Sequence, residues 1–102
     1  MADTAEFFSK YLPERLASNP ALQNEKGIFQ FDIGGAGTWT LDLAAQTVTE
    51  GPSDNPDCKL TTDKATWEGI LDNPSKAMQA FMMGKLKASN VGQAMKLQKI
   101  LS

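Results

Sequence analysis

Few residues of this chain could make or break bonds, and each lacks the partners that such chemistry needs. There is no histidine, which removes the commonest general base and the commonest metal ligand together. The lone cysteine, Cys58, stands in the alternating run "CKLTT" without an activating neighbour, so an inert, buried thiol is expected. It cannot form an internal disulfide, nor hold a structural zinc without further nitrogen or sulfur ligands. Asp54 and Asp57 in "SDNPD" invite calcium, but the glutamate and glycine positions of an EF-hand are missing and a turn is the expected reading. The glycines of "GGAG" follow a strand, as a phosphate loop would. The next segment, "TWTLDL", is again a strand, so no helix N-terminus stands ready for phosphates and a hairpin turn is expected. No catalytic residue, metal or cofactor is expected, and the chain does not read as an enzyme.

The remaining chemistry is binding, and it is concentrated at one end. Apart from Met1, every methionine (Met78, Met82, Met83 and Met95) falls between residues 78 and 95. Methionine is unbranched and polarizable, and it recurs at surfaces that accept ligands of variable shape. Charge divides in the same place. Residues 1–80 hold all 12 acids, whereas residues 81–102 hold Lys85, Lys87, Lys96 and Lys99 and no acid. Three readings of "FMMGKLKASNVGQAMKLQKIL" are open: an ordinary core helix, a basic peptide for a partner or membrane, and the mouth of a pocket for a flexible apolar ligand. Trp39 and Trp67 add large flat faces that suit a core or a ligand equally.

Periodicity supplies the scaffold for these side chains. "DTAEFFSKYLPERLASNP" reads as a helix with Asp3 and Glu6 at capping-box spacing and Phe8, Leu12 and Leu16 every fourth residue. Pro13 must kink it or begin a second short helix. Phe29, Phe31 and Ile33 then alternate with polar residues, as do Trp39, Leu41 and Leu43, and "GGAG" between the two runs predicts a hairpin. "QTVTEG" predicts a third strand with Val48 inward, and "CKLTT" a fourth with Cys58 and Leu60 on one face. "DKATWEGILDN" turns helical, with Asp63 as N-cap and Trp67, Ile70 and Leu71 on one stripe. Asn73 and Pro74 end that helix and start another, with Asn73 as its N-cap and Gly84 closing it. The expected division is a single domain: an N-terminal helical segment over 1–26, strands one to four over 27–61, a helix pair over 62–83, a fifth strand over 84–88 and a closing helix over 90–101.

The gross numbers bound the class. A chain of 102 residues makes one domain, and 41% apolar residues with a mean hydropathy of -0.32 describe a soluble one. No run approaches the ~20 apolar residues of a spanning helix. The opening "MADTAEFFSK" has no basic n-region, so no signal peptide is expected, and one cysteine fits a reducing compartment; cytoplasm is the expected location. A formal charge of -2 makes a poor nucleic-acid binder, and a monomer is expected.

The C-terminal segment resembles the closing signature of the sterol carrier protein type-2 domain family: a phenylalanine, a "GKLK" strand, an Asn-containing turn and an "AMKLQ" helix, in that order. Upstream, "GTWTLDL" is similar to the family's second strand, "CKLTT" to its fourth, and "LDNPSKAMQAF" to its helix pair, so the likeness covers roughly residues 27–101. The resemblance implies an α/β (α+β) fold, a five-stranded sheet covered on one face by helices, with an apolar tunnel between them. It implies binding and transfer of fatty acids, acyl-CoA, phospholipids or sterols without chemistry. By matching position, Trp39, Phe81, Met82, Met83, Leu86 and Met95 would line or gate the tunnel. Phe29, Phe31, Leu41, Trp67, Ile70, Leu71, Met78 and Leu101 complete the expected lipid-binding set, and Lys85, Lys87, Lys96 and Lys99 are the expected contacts to an anionic membrane. Met83 stands where many relatives carry a polar residue, which removes one head-group contact. The end "KILS" lacks the peroxisomal tripeptide of eukaryotic relatives. The alternative function is an accessory domain that presents an apolar groove to a protein or enzyme partner.

A lipid is energetically reasonable in so small a domain. Burying a sixteen-carbon chain gains ~12 kcal/mol gross at ~0.8 kcal/mol per methylene, against ~4–15 kcal/mol for association and ordering. An empty rigid cavity of ~300 Å³ would cost roughly 7 kcal/mol, comparable with a domain's whole stability. Without ligand, the space is therefore expected to collapse around flexible side chains or to retain a host lipid.

Overall fold

The computed structural model describes residues 3–23, 26–73 and 75–96. Its centre is a mixed five-stranded sheet of β1 (Ile28–Gly34), β2 (Gly37–Asp42), β3 (Thr47–Glu50), β4 (Cys58–Asp63) and β5 (Lys87–Ala88), in the order β3-β2-β1-β4-β5. β1 runs antiparallel to β2 across the tight "GGAG" turn and parallel to β4. The registers set Phe31 opposite Trp39 and beside Leu60, and Phe29 opposite Leu41 and beside Cys58. Because side chains alternate along a strand, these rows make one face apolar throughout. The other face carries Gln30, Asp32, Thr40, Lys59 and Thr61. There Lys59 Nζ lies 3.2 Å from Asp32 Oδ2, and the Ser53 N–H donates to Gln30 Oε1 at 3.0 Å, laying a loop across the sheet that buries Gln30.

Helices pack on the apolar face. The chain begins with α1 (Thr4–Glu6), a widened π turn (Phe7–Tyr11), α2 (Leu12–Ser18) and the single turn α3 (Pro20–Gln23). Pro13 explains the widening. It has no N–H for the carbonyl four residues back, so the preceding turn opens and the Leu12 N–H reaches the Phe7 carbonyl instead. Phe7, Phe8, Leu12 and Leu16 are buried as a result of that path. After β4 come α4 (Lys64–Asp72) and α5 (Lys76–Met82), and after β5 comes α6 (Val91–Ala94). Asp3, Asp63 and Asn90 cap α1, α4 and α6, each accepting the backbone N–H three residues on. Glu68 of α4 ties the N-terminal arm down by accepting from the backbone and the hydroxyl of Thr4.

Phe8 is the centre of the core. It stacks on Trp39 at 4.7 Å between ring centroids and on Trp67 at 5.8 Å, nearly parallel to both, and Phe31 tilts against it at 5.1 Å. The space between sheet and helices is therefore filled here by the chain's own aromatic rings.

Two boundaries differ from the sequence expectation for physical reasons. Asn73 ends α4 instead of capping α5: its Oδ1 accepts from the N–H and hydroxyl of Ser75, which precedes α5. The fifth strand is confined to Lys87–Ala88 because residues 84–86 close α5. Gly84 takes φ +76°, the Lys85 N–H bonds the Ala80 carbonyl at 2.9 Å, and the Gly84 N–H bonds Phe81 at 3.2 Å. This is a Schellman cap, which only a residue free of a Cβ adopts without strain.

Candidate functional site

Two short helices and the turn after them build a groove. On α4, Ala65, Thr66, Gly69 and Ile70 fall on one face by the three-to-four-residue spacing of a helix; on α5 and its cap, Lys76, Gln79, Ala80 and Met83 do the same. With Lys85 these residues enclose about 430 Å³, open to solvent along one side. Small residues create the room. A Cβ placed on Gly69 would meet no atom within 4 Å, so the helix there presents bare backbone to empty space.

The floor is apolar and joins the core. Ile70 and Ala80 are both buried and both line the groove. Trp67, one helical turn from Ile70, is wholly buried against Phe8 and Phe31, and among the described residues its Nε1–H finds no acceptor. The rim is polar and cationic, with Lys76 and Lys85 on it. Lys85 also acts on its surroundings. The Asp63 carboxyl is held below its ordinary value first by the Thr66 backbone N–H and hydroxyl, with a smaller contribution from the Lys85 charge. A channel with an apolar floor and an ammonium at its edge suits an amphiphile with an anionic head.

Among the residues singled out from sequence, Ile70, Met83 and Lys85 lie on this groove. Phe29, Phe31, Trp39, Leu41, Trp67 and Leu86 are buried in the core behind it, Leu71 packs on the core's edge, and Phe81 is half-buried. The methionines point outward: Met78 is 40%, Met82 79%, Met83 60% and Met95 59% exposed. Lys85 follows the cap of α5, whereas Lys87 pairs opposite Thr61, on the sheet face turned away from the helices. Lys96 lies at the other end of β4, its Nζ donating to the Lys26 carbonyl at 2.9 Å. Leu101 and Lys99 lie outside the described residues. Sequence reasoning passed over Ala65, Thr66, Gly69, Lys76, Gln79 and Ala80. The available signal was two facing helical stripes, 65/66/69/70 and 76/79/80/83, in which Ala65, Gly69 and Ala80 leave out bulk.

A second hollow of about 430 Å³ lies at the hairpin end of the sheet, lined by Asp32, Ile33, the glycines of residues 34–37, Thr38, Thr61 and Thr62. Its carboxylate is already engaged by Lys59 and Gln30. Burial raises the Asp32 carboxyl, but hydrogen bonds from Gln30, Lys59 and Thr38 outweigh this and hold it below its usual value. Cys58 is buried, and desolvation pushes its thiol up despite a contact to the Asn90 carbonyl. Among the described residues no cluster of three or more His, Cys, Asp or Glu could hold a metal, and no helix is long and apolar enough to cross a membrane.

A model of the SCP-2 sterol transfer family matches residues 8–102. The chain belongs to that family. The fold agrees: a crystal structure of sterol carrier protein 2 like 2 from Aedes aegypti superposes with a TM-score of 0.77 at 23% identity, over 93% of this chain and 94% of that one. Solution structures of palmitated SCP2L2 and of sterol carrier protein 2 with palmitate, both from Aedes aegypti, give TM-scores of 0.74 and 0.75 at 24% and 20% identity. They cover 97% and 100% of this chain and 95% and 97% of theirs. In sequence, this SCP-2 domain is 31% identical over 91 residues to the hydroxysteroid dehydrogenase-like protein 2 of Rattus norvegicus and of Homo sapiens. It covers 83% of its own length but only 17% and 22% of those two proteins.

Proposed function

We propose that this SCP-2 domain binds an acyl lipid non-covalently and carries it between membranes, without catalysing a reaction on it. The observation that carries the reading is the groove between α4 and α5, whose floor runs through Ile70 and Ala80 into the aromatic core. Two related folds with palmitate support it. The carboxylate or phosphate of the lipid meets Lys76 and Lys85 at the rim, and the tail lies over Gly69, Ile70 and Ala80 under Met83. Magnitudes decide how far the tail goes. An open groove that shelters half of a sixteen-carbon chain gains about 6 kcal/mol, near the lower bound of the association cost. Micromolar binding, about -8 kcal/mol net, therefore requires the tail to continue past Ile70 into the core beside Trp67, Trp39 and Phe31, with Phe8 giving way. A reducing, cytoplasmic setting and a monomeric carrier belong to the same proposal, the former supported by a lone cysteine that is buried.

Organic extraction of purified protein followed by mass spectrometry tests the reading, together with displacement of a fluorescent fatty acid. Near-stoichiometric acyl lipid, or displacement by palmitate, is the expected outcome. Neither lipid nor displacement overturns it. A second reading has one observation in its favour: the dehydrogenase-like relatives are about five times longer than the stretch they share with this chain. On that reading the domain presents its groove to an enzyme, and an extract free of lipid with retention of an enzyme partner would favour it.

A further inference from the structure

Trp67 carries a hydrogen-bond donor that the fold leaves unused. Its side chain is wholly buried, and among the described residues its Nε1–H meets no acceptor. The side chains packed on it are rings: Phe8 stacked at 5.8 Å, Phe31 tilted at 5.4 Å and Phe7 edge-on at 6.0 Å. An aromatic face is a second-order acceptor at most, and a buried water would need about three polar partners where these rings offer none. The other buried polar side chains are served. Thr4 bonds Glu68, Gln30 bonds Asp32 and Ser53, and the Thr62 hydroxyl donates to the Lys85 carbonyl. A second unpartnered atom, Gln93 Oε1, lies beside Gly27, four residues before the Phe31 that touches Trp67. Roughly 13 Å of strand separates those two places, so neither atom serves the other.

We infer that the Trp67 indole N–H donates to a carbonyl oxygen on the buried part of the lipid, so that an acyl chain bearing a ketone is the preferred cargo. This rests on the proposed lipid-binding function, in which the tail runs past Ile70 beside Trp67 and the anionic head stays at Lys76 and Lys85. An ester or thioester carbonyl adjoins the head and is held at the rim with it, so an oxygen that reaches Trp67 belongs to the chain. A ketone suits the place better than a hydroxyl. It accepts without donating, whereas a hydroxyl brings an O–H of its own among rings that offer no acceptor. An ordinary neutral hydrogen bond is worth about fivefold in affinity, because both partners must first give up water. Here the N–H is already dry in the unliganded protein, so a gain of about tenfold over a saturated chain is expected.

Competition against a fluorescent fatty acid compares stearate with oxostearates whose ketone stands in the first, middle or last third of the chain, and with the matching hydroxystearates. One ketone position is expected to bind about tenfold tighter than stearate, and the matching hydroxyl to gain less. In Trp67→Phe the ratio of ketone to stearate affinity is expected to fall to about one, whatever the change does to either affinity alone. Benzothienylalanine at position 67 puts sulfur where the N–H was and keeps the size of the indole. It is expected to erase the same ratio, and it serves where the phenylalanine variant fails to fold. With two tryptophans in the chain, a proton–nitrogen spectrum holds two indole signals. The one lost in either variant is expected to move downfield with the preferred ketone and to stay with stearate. No preferred ketone at any position, a preference that survives the replacement of Trp67, or an indole signal unmoved by the ketone would each overturn this role of Trp67. A hydroxyl that gains as much as the ketone would overturn the choice of a carbonyl. Failure of stearate itself to displace the fluorescent fatty acid is a separate result, the failure of the lipid-binding reading.

Discussion

Gly69 offers a way to close the groove without harming the fold. It sits in the interior of α4, where glycine costs about 0.5–1 kcal/mol relative to alanine through the freedom it loses on folding. A Cβ there meets nothing within 4 Å, so Gly69→Ala avoids a clash, and the further carbons of Gly69→Leu extend toward the open groove that Gly69 lines. Both variants are expected to be more stable than wild type by about 0.5–1 kcal/mol, a rise in Tm of about 2–8 °C for a domain of this size. Binding should move the other way. A leucine side chain places four carbons where the tail would lie and displaces about four methylenes of ligand, a loss of about 3 kcal/mol or roughly 100-fold in Kd. Alanine removes room for one, roughly fourfold. Calorimetric melting and titration of a fluorescent fatty acid on the same samples read both effects. A leucine variant that melts higher yet binds with wild-type affinity would show that the tail does not cross Gly69, and the placement of the ligand would be wrong.

Three further outcomes follow from the core and its charges. Phe8→Ala, which empties the space between Trp39 and Trp67, should cost about 3–5 kcal/mol in urea unfolding, and excess palmitate should restore more stability to the variant than it adds to wild type. Equal stabilisation of both would place the acyl chain elsewhere. Asp32 and Asp63 have depressed values in the folded state, so their contribution is present above the ordinary carboxylate range and is lost as pH falls through the folded values. The urea midpoint should therefore drop below about pH 4, and less steeply in Asp32→Asn and Asp63→Asn. Burial and a raised thiol value should leave Cys58 unreactive to a thiol reagent at pH 8 in native protein, with labelling only at the rate of opening; fast labelling would contradict its placement.

The sheet was legible because its two faces differ. Phe29, Phe31 and Ile33 against Gln30 and Asp32 specify an inward face by period alone, and the short "GGAG" turn then leaves one register in which Phe31 meets Trp39. β5 was overextended for the opposite reason. "GKLK" alternates like a strand, but the left-handed φ of Gly84 and the hydrogen bonds back to Ala80 commit its first residues to a helix cap. The groove was harder to see, because what makes it is missing bulk. A search for large apolar side chains finds the walls of a core, whereas open space sits over alanine and glycine, here Ala65, Gly69 and Ala80. The methionines illustrate the same limit. Their composition announced a surface that takes apolar matter, yet only the path of α5 and its cap decides that Met82 faces outward while Ala77 and Ala80 face in.

That division of labour bears on how the unliganded domain survives. Kept empty inside the core, about 430 Å³ would cost about 10 kcal/mol at ~24 cal/mol per Å³, as much as the whole expected stability. Placed at the surface between two short helices, the same room is wetted and carries no such cost. The interior meanwhile stays packed, with Phe8 stacked between two tryptophans. On the proposed function, loading would exchange Phe8's contacts, worth about 3–5 kcal/mol, for the larger apolar surface of a tail, up to about 12 kcal/mol gross. The difference would favour uptake yet leave it reversible once association costs are included, the balance that the proposed carrier role requires.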